Sequence, residues 1–280
     1  MHRAGSPEEA VQLLADLGED SKLLAGGQSL VPMMNFRLAR PSALVDINGL
    51  RDLDHVTHSS EGLRIGALTR HITLEDPTRF PAQWGIVSRV ARWIGHYPIR
   101  TRGTFGGSIA HADPSAELPV LSLVFDATFD MLGPRGARTI PSSEFFKGPF
   151  QVDMEMDEML SGALLKEPPP EARFSVHEFA RRAGDFAIVL VIAGVALENG
   201  RCTWARIGLG GVGGVPRRAV DAERTLLDAT LSEETIEAAA VLASEGVTPL
   251  EDIHASADHR RHLVKVLVRR AVADAAGDRT

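Results

Sequence analysis

The sequence predicts an α+β protein of two domains, and three features carry that prediction. Residues 6–46 alternate helical and strand patterns, which is typical of a small α/β unit. Residues 166–172 read KEPPPEA, and three consecutive prolines can continue neither a helix nor a central strand. Two β-rich segments and then three helical patterns follow this linker. We therefore expect one domain at residues 1–168 and a second at residues 172–280.

The first element is a helix in SPEEAVQLLADLG, because several end signals agree there. Ser6 is a good N-cap, Pro7 suits the first helical position, and Glu9 completes a capping box. A strand at residues 22–25, a helix rich in Met and Leu, and a second strand, ALVDI, follow. This alternation predicts a small α/β subdomain.

The rest of the first domain has three recognisable segments. LDHVTHSSEGLRIGAL predicts a hairpin with its turn at residues 59–62, and PAQWGIVSRVARWIG predicts a helix that ends at Gly95. Residues 97–119 are polar and rich in glycine, so we expect a long irregular loop. In a compact domain, a loop of that length is usually functional or disordered.

The second domain begins with LVIAGVALENGRCTWARIGLGG, which predicts two strands joined by a hairpin turn. The turn is Asn199-Gly200, a dipeptide that two-residue hairpins prefer. Helical patterns then cover residues 219–227, 233–243 and 259–275. We expect an antiparallel sheet followed by a helical bundle.

Composition excludes several classes of function. The single cysteine, Cys202, rules out an internal disulfide framework, a thiolate-held iron–sulfur cluster and a four-cysteine zinc site. The formal net charge of −7 does not favour binding to the negatively charged backbone of a nucleic acid. No apolar run approaches the ~20 residues that span a bilayer, and no secretory segment is apparent, so we expect a cytoplasmic protein. The histidine pairs lack a third ligand, and no metal site is expected.

Two loops with paired glycines are the candidate ligand-binding features. Gly26 and Gly27 in LLAGGQSLVPMM follow a short strand and precede a helix that has Pro32 in its first turn. Gly106 and Gly107 in TRGTFGGSIAHADPSAELP have a similar setting. Each could be a simple turn, but two loops with hydroxyls and closely spaced amides suit a diphosphate approached from two sides.

A third glycine-rich motif is rejected as a nucleotide site. GLGGVG, residues 208–213, matches G-x-G-x-x-G in letters, but it ends a hairpin and runs into Pro216 instead of opening a helix of a βαβ unit. We expect a glycine-rich strand end that packs closely against another element.

Four ordered motifs resemble one protein family. They are AGGQSLVPMMNFRLARPSALVDIN, GHYPIRTRGTFGGSIAHADPSAELP, RRAGDFAIV and IGLGGVGGVPRRA. Together they resemble the FAD-binding medium subunit of molybdenum hydroxylases, a family that includes the medium subunit of carbon monoxide dehydrogenase and the flavin domain of xanthine dehydrogenase. The resemblance covers nearly the whole chain. It implies a first domain of the p-cresol methylhydroxylase type, with two small α/β subdomains.

The resemblance also implies which residues bind FAD, with the pyrophosphate between the two glycine loops. The first set is Ala25, Gly26, Gly27, Gln28, Ser29, Leu30 and Val31, and the second is Thr104, Phe105, Gly106, Gly107 and Ser108. Under this interpretation, the glycines allow backbone amides to reach a phosphate. His111, inside the second motif, is expected to neighbour the cofactor.

Other implied contacts each have an ordinary structural alternative. Asp113 resembles a residue that contacts the sugar-alcohol chain of the flavin, but it could also be an N-cap before Pro114. Glu117 aligns with an acidic FAD contact, although acidic residues are common in a first helical turn. Ile94 and Leu160 would form apolar walls of the cofactor site, or simply belong to the core.

The RRAGDF motif implies that Asp185 and Phe186 lie at the isoalloxazine ring. The carbon monoxide dehydrogenase subunit has Tyr at the position of Phe186. The ring of Phe186 can also cover the isoalloxazine, but it has no hydroxyl group to donate a hydrogen bond. Family members often have Lys where this chain has Glu178, which puts a cationic flavin contact in doubt. Tyr97 is a possible flavin-site or interface residue.

The resemblance implies an electron-transfer flavoprotein subunit. A large partner with molybdopterin would oxidise the substrate, a small partner with [2Fe–2S] clusters would relay electrons to FAD on this chain, and an external acceptor would receive them. The expected assembly is a dimer of heterotrimers. The chain itself needs no catalytic acid–base pair, since the cofactor carries the chemistry. The alternatives are a stand-alone FAD-dependent oxidase or dehydrogenase of the same fold and a non-redox module that has lost FAD.

Overall fold

A computed structural model describes residues 1–277 and divides the chain into two compact units. The first unit contains Met1–Arg79, His96–Ala112 and Asp126–Glu167. The second contains Phe80–Gly95, Asp113–Phe125 and the residues from Pro168 onward. Two early segments thus belong with the C-terminal part of the chain. The domain bounds 1–168 and 172–280 stay a prediction.

The helices and strands follow in chain order. The helices are α1 (Pro7–Leu17), α2 (Leu30–Asn35), α3 (His71–Glu75), α4 (Gly85–Ala91), α5 (Tyr97–Arg102), α6 (Phe105–His111), α7 (Glu117–Val124), α8 (Ser142–Phe145), α9 (Val220–Leu226), α10 (Glu233–Glu245) and α11 (Ala257–Ala276). The strands are β1 (His2–Arg3), β2 (Ser21–Leu24), β3 (Ala43–Asp46), β4 (Val56–Ser59), β5 (Gly62–Gly66), β6 (Thr128–Gly133), β7 (Gly136–Pro141), β8 (Phe146–Gly148), β9 (Gln151–Val152), β10 (Met159–Lys166), β11 (Arg173–Phe179), β12 (Val189–Glu198), β13 (Arg201–Gly210) and β14 (Arg217–Arg218).

The first unit contains a parallel and an antiparallel sheet. Strands β1, β3 and β2 form a parallel sheet in that order, with Leu23 opposite Val45. Its apolar side packs on α1, whose N-terminus has the expected cap: the Ser6 hydroxyl accepts a hydrogen bond from the Glu9 amide at 3.1 Å. The second sheet has the order β4-β5-β10-β6-β7, and all neighbouring strands in it are antiparallel.

The second unit is built on an antiparallel sheet of order β11-β12-β13-β14. Asn199 (φ 50°) and Gly200 (φ 78°) form the turn between β12 and β13, as the sequence predicts. Helices α9, α10 and α11 bury an apolar core against this sheet. The predicted α+β class is confirmed.

Aromatic stacking explains why two early segments join the second unit. Trp84 stacks on Phe125 with ring centroids 4.8 Å apart, and Phe125 stacks on Phe174 at 4.9 Å. Trp84 and Phe125 are fully or almost fully buried. Burying such large apolar rings is among the strongest contributions to a core, so α4 and α7 pack with the C-terminal sheet.

Two predicted elements differ from the structure. Residues 97–119 are not an irregular loop, because α5, α6 and the start of α7 lie there, and a Thr104 cap offsets the low helix propensity of the two glycines that follow. The helix predicted to end at Gly95 is shorter, since α4 ends at Ala91. Among residues 1–277, no helix combines the length and apolar character needed to cross a bilayer.

Candidate functional site

The first glycine loop, residues 25–31, connects β2 to α2. Gly27 has a φ of +70°, in the left-handed region that glycine adopts without strain. Within residues 1–277, the backbone amides of Gly26, Gly27, Gln28 and Ser29 donate to no acceptor. Closely spaced open amides form a concave set of donors for an anion. This loop therefore fits the phosphate-binding role predicted for it.

Gly26 brings the first loop against the residues that precede the second. A Cβ atom built on Gly26 would overlap the Arg102 carbonyl group and lie 2.9 Å from the Gly103 Cα atom. No larger side chain fits unless one of the two backbones moves. The glycine at this position thus sets how closely the two loops approach.

The second glycine loop, residues 104–108, differs from the prediction in its chemistry. The amides of all four residues after Thr104 already donate hydrogen bonds inside the chain. Their acceptors are the carbonyl oxygens of Thr69 (2.9 Å), Ala67 (2.8 Å) and Thr104 (3.0 Å) and the Thr104 hydroxyl (3.1 Å). A ligand would meet the exposed Gly107 backbone and the half-buried Ser108 hydroxyl instead.

Two polar side chains connect the loops. Asn48 donates from Nδ2 to the carbonyl oxygen of Ala25 at 2.8 Å. Arg70 donates from Nη2 to Asn48 Oδ1 at 2.8 Å and from Nη1 to the Arg102 carbonyl oxygen. Burial, and then the nearby charge of Arg102, lower the pKa of the Arg70 guanidinium.

His71 forms hydrogen bonds with the backbone at the start of the second loop. Its backbone amide donates to Gly103 O at 3.0 Å, and its ring Nε2 lies 2.9 Å from Thr104 O. The ring is 5% exposed, and its Nδ1 atom is buried without a hydrogen-bond partner in the described chain. Burial lowers the pKa of His71 to about 4, so the ring is neutral at pH 7.

The other residues predicted for the first unit have mixed placements. Phe105 is fully buried and Leu160 almost so, which makes both part of the core. Val31 is 43% exposed beside the first loop. His111 is half-buried and packs on Phe150, with ring centroids 5.0 Å apart. These contacts leave Val31 and His111 more accessible to a ligand than Phe105 or Leu160.

Two predicted residues of the second unit, Ile94 and Asp113, lie at buried or half-buried positions. Ile94 is 8% exposed. Asp113 is half-buried and accepts a hydrogen bond from the Ser115 amide at 2.8 Å. Asp113 is not an N-cap, since α7 begins at Glu117 with Ala116 as the capping residue.

Glu117 and Glu178 are two carboxyl groups that are shielded from solvent and interact through their charges. Glu117 is 4% exposed, and burial raises its pKa to about 7. Burial, followed by the charge of Glu117, raises the pKa of Glu178 to about 8. The Glu178 Oε2 atom is buried with no partner among residues 1–277. Because an ionised carboxylate is costly in such surroundings, Glu178 is largely protonated at neutral pH.

Residues 180–187, which include Asp185 and Phe186, form a loop closed by a bond from the Ile188 amide to the Phe179 carbonyl at 2.8 Å. Phe186 is 63% exposed. Buried Arg260 donates to the carbonyl oxygens of Ile188 (2.6 Å) and Gly211 (2.9 Å), so α11 holds the C-terminal end of the loop.

The GLGGVG motif is a packing feature, as predicted. A Cβ atom on Gly208 would meet the side chains of Val120 and Val124 at 2.8 Å and 2.6 Å. Gly210 also packs against Val120. The motif lies at the end of β13, and its glycines allow α7 to pack closely on that strand.

Residues 1–277 contain no group of three or more His, Cys, Asp or Glu side chains placed to hold a metal ion.

The sequence does not predict the roles of Asn48, Arg70 and His71 at the two loops. The one available signal was the polar Asn48 directly after the strand ALVDI, since residues at the ends of parallel strands often form binding sites.

Comparison with known proteins identifies the family. The model "FAD binding domain in molybdopterin dehydrogenase" matches residues 1–164, and "CO dehydrogenase flavoprotein C-terminal domain" matches residues 174–275. The chain belongs to the FAD-binding medium subunits of molybdenum hydroxylases. It is therefore an oxidoreductase subunit, and its cofactor is FAD.

Relatives of this medium subunit match over nearly their full length. The 6-hydroxypseudooxynicotine dehydrogenase complex subunit alpha of Paenarthrobacter nicotinovorans is 42% identical, covering 97% of this chain and 92% of that protein. Quinoline 2-oxidoreductase from Pseudomonas putida 86 has a TM-score of 0.93 and 37% identity, covering 99% and 96% of the two chains. A Cu,Mo carbon monoxide dehydrogenase has a TM-score of 0.96 and 32% identity, covering 99% and 97%.

Proposed function

We propose that this medium subunit carries electrons from [2Fe–2S] clusters on a small partner subunit, through FAD, to an external acceptor. A large partner with molybdopterin oxidises the substrate in this proposal, and the complex is a dimer of heterotrimers. The names of the relatives, which include "medium chain" and "complex subunit", support a heteromeric assembly. The single cysteine of this chain supports it too, because the clusters must be held elsewhere.

The observation that carries the proposal is the open first glycine loop. Four successive amides that have no acceptor within residues 1–277, a left-handed Gly27 and a Gly26 with no room for a side chain fit the diphosphate of FAD. When bound, FAD supplies the redox chemistry. The residues of this chain would bind and orient it: the amides of residues 26–29 would hold a phosphate group, and the Ser108 hydroxyl would donate from the second loop.

The remaining predicted contacts are kept as part of the proposal. They are the contacts that the family resemblance implies for Ile94, His111, Asp113, Glu117, Leu160, Asp185 and Phe186. Exposed Phe186 is suited to cover one face of the isoalloxazine. Protonated Glu178 would bring no negative charge to its surroundings.

The first test is a flavin titration of the full chain. We expect FAD to bind more tightly than FMN, because FMN lacks the diphosphate that the loops are proposed to hold. Flavin fluorescence quenching measures both dissociation constants. Equal affinities would contradict the diphosphate assignment.

A second test separates an electron-transfer subunit from a stand-alone oxidase. FAD-loaded chain is mixed anaerobically with a substrate of the complex, first alone and then with the two partner subunits. We expect the flavin absorbance to bleach only when the partners are present. Bleaching by the substrate without partners would favour the stand-alone enzyme.

A further inference from the structure

Asn48 and Arg70 form a continuous polar connection between the two glycine loops of the first unit. The carbonyl oxygen of Ala25 accepts from Asn48 Nδ2, and Asn48 Oδ1 accepts from Arg70 Nη2. Arg70 Nη1 then donates to the carbonyl oxygen of Arg102, two residues before Thr104. A single chain of hydrogen bonds thus runs from the base of one loop to the base of the other.

Each end of this connection is held independently. Asn48 also donates to Leu24 O at 3.2 Å and to Asp46 Oδ1 at 2.7 Å, which fixes its amide at the end of the parallel sheet. Arg70 pairs through its backbone with Thr104, as an isolated antiparallel bridge. The two side chains therefore join elements that are already ordered, and little conformational entropy is lost in making the connection.

The groups in this connection are polar and only half-buried, so they add little to a core. Their geometry is specific, however. A planar guanidinium can donate to Asn48 and to the Arg102 carbonyl at the same time, whereas an ammonium on a flexible stem lacks this fork. The contact of Gly26 with Gly103 sets the closest approach of the loops, and the Asn48–Arg70 pair opposes their separation.

We propose that Asn48 and Arg70 are positioning residues that fix the spacing of the two glycine loops for a diphosphate. This inference rests on the proposed FAD site. A diphosphate must meet both loops at once, so its affinity depends on their spacing, whereas one phosphate can bind to the first loop alone. Loss of the connection is therefore expected to weaken FAD binding far more than FMN binding.

The experiment compares Asn48→Ala, Arg70→Met, Arg70→Lys and the Asn48→Ala/Arg70→Met double variant. The dissociation constants for FAD and FMN are measured by fluorescence on each full chain, together with its melting temperature. Arg64→Met is the matched control, since Arg64 pairs with Asp130 at 2.6 Å in the same unit and, among residues 1–277, forms no hydrogen bond or ion pair with either loop. Arg70→Lys is the milder variant, in case the others fold poorly.

We expect the FAD dissociation constant to rise at least tenfold in each single variant, including Arg70→Lys, while that for FMN changes less than threefold. The double variant should lose no more than the worse single variant, because either change breaks the same connection. Arg64→Met should leave both constants unchanged.

Four outcomes would overturn the inference. Retention of FAD affinity in Arg70→Lys would show that charge matters and spacing does not. An equal loss of affinity for FAD and FMN would show that Asn48 and Arg70 only stabilise the fold. A loss of FAD affinity in Arg64→Met that follows its melting temperature would show the same. A wild-type chain that does not prefer FAD would remove the proposed function itself, and the inference with it.

Discussion

His71 donates a hydrogen bond from Nε2 to the carbonyl oxygen of Thr104 across 2.9 Å. A carbonyl oxygen only accepts hydrogen bonds, so Nε2 carries the proton and the buried Nδ1 atom is unprotonated. Protonating Nδ1 would place a charge at a buried position beside Arg70 and Arg100, and the pKa of about 4 reflects this cost. The second glycine loop thus depends on a histidine that must stay neutral.

His71→Gln is expected to make the chain less sensitive to acid. In the wild type the folded pKa is about 4 against 6.5 for a free ring, so the unfolded state binds more protons between these values. The stabilising contribution is full above pH 6.5, and about 3 kcal/mol of it is lost as the pH falls to 4. Urea unfolding at pH 7.5, 5.5 and 4.5 measures the change. Equal slopes with pH in both proteins would contradict the assignment.

Gly26→Ala is expected to weaken FAD binding without unfolding the chain. The new methyl group would overlap the Arg102 carbonyl and force the two loops apart. We expect the FAD dissociation constant to rise about tenfold or more, which is about 1.4 kcal/mol. Gly85→Ala is the control, because a Cβ atom there meets no atom within 4 Å. Unchanged FAD affinity in Gly26→Ala would show that loop spacing is not critical.

The sequence predicts most of the fold because its end signals are local. Ser6, Pro7 and Gly18 mark the ends of α1, and Asn199-Gly200 marks the β12–β13 turn. Residues 97–119 have the pattern of a loop because their glycines are poor helix formers. There a Thr104 cap and burial of Phe105 favour α6, and the burial depends on distant residues that no local pattern reveals.

The first glycine loop was predictable, and the chemistry of the second was not. Paired glycines after a strand indicate amides that a ligand can reach, and in the described part of the chain the amides of residues 26–29 donate to no acceptor. The same pattern does not give free amides in the second loop, because the carbonyl groups of Thr69 and Ala67, in the segment between β5 and α3, accept hydrogen bonds from Phe105 and Gly106. The roles of Asn48 and Arg70 cannot be predicted from the sequence for the same reason. Their partners become visible only once the fold brings residues 25, 48, 70 and 102 together.

Glu178→Gln is expected to stabilise the chain at alkaline pH. A raised folded pKa, about 8 for Glu178, means that the folded state binds more protons than the unfolded state. The unfolding free energy therefore falls as the pH rises from about 4.5 to about 8, where the buried carboxyl is forced to ionise. The amide variant cannot ionise and should avoid this loss.

Thermal melting at pH 5, 7 and 9 measures the effect of Glu178→Gln. The variant should melt at a higher temperature than the wild type at pH 9 and close to it at pH 5. Glu171→Gln, at an exposed position of the same unit, is the control and should show no such difference. A Glu178→Gln variant that melts no higher than the wild type at pH 9 would indicate that the carboxyl is solvated in solution.

Phe186→Ala tests the proposed cover of the flavin ring. The side chain is 63% exposed, so its removal leaves no cavity and should change the free energy of unfolding by less than about 0.5 kcal/mol. A core aromatic of the same size would cost about 3–5 kcal/mol. Thermal melting distinguishes these two cases before any flavin is added.

If Phe186 covers one face of the isoalloxazine, its removal exposes that face to water and changes the polarity around the ring. FAD should stay bound, because the first glycine loop and the Ser108 hydroxyl are unchanged. We expect a shifted reduction potential or faster reaction with oxygen, measured by redox titration and by stopped-flow reoxidation. The Phe186→Leu variant, which keeps an apolar cover, should lie between the wild type and Phe186→Ala. An unshifted potential in Phe186→Ala, with FAD bound and the fold intact, would place this side chain away from the flavin and leave residues 180–187 as an exposed surface loop.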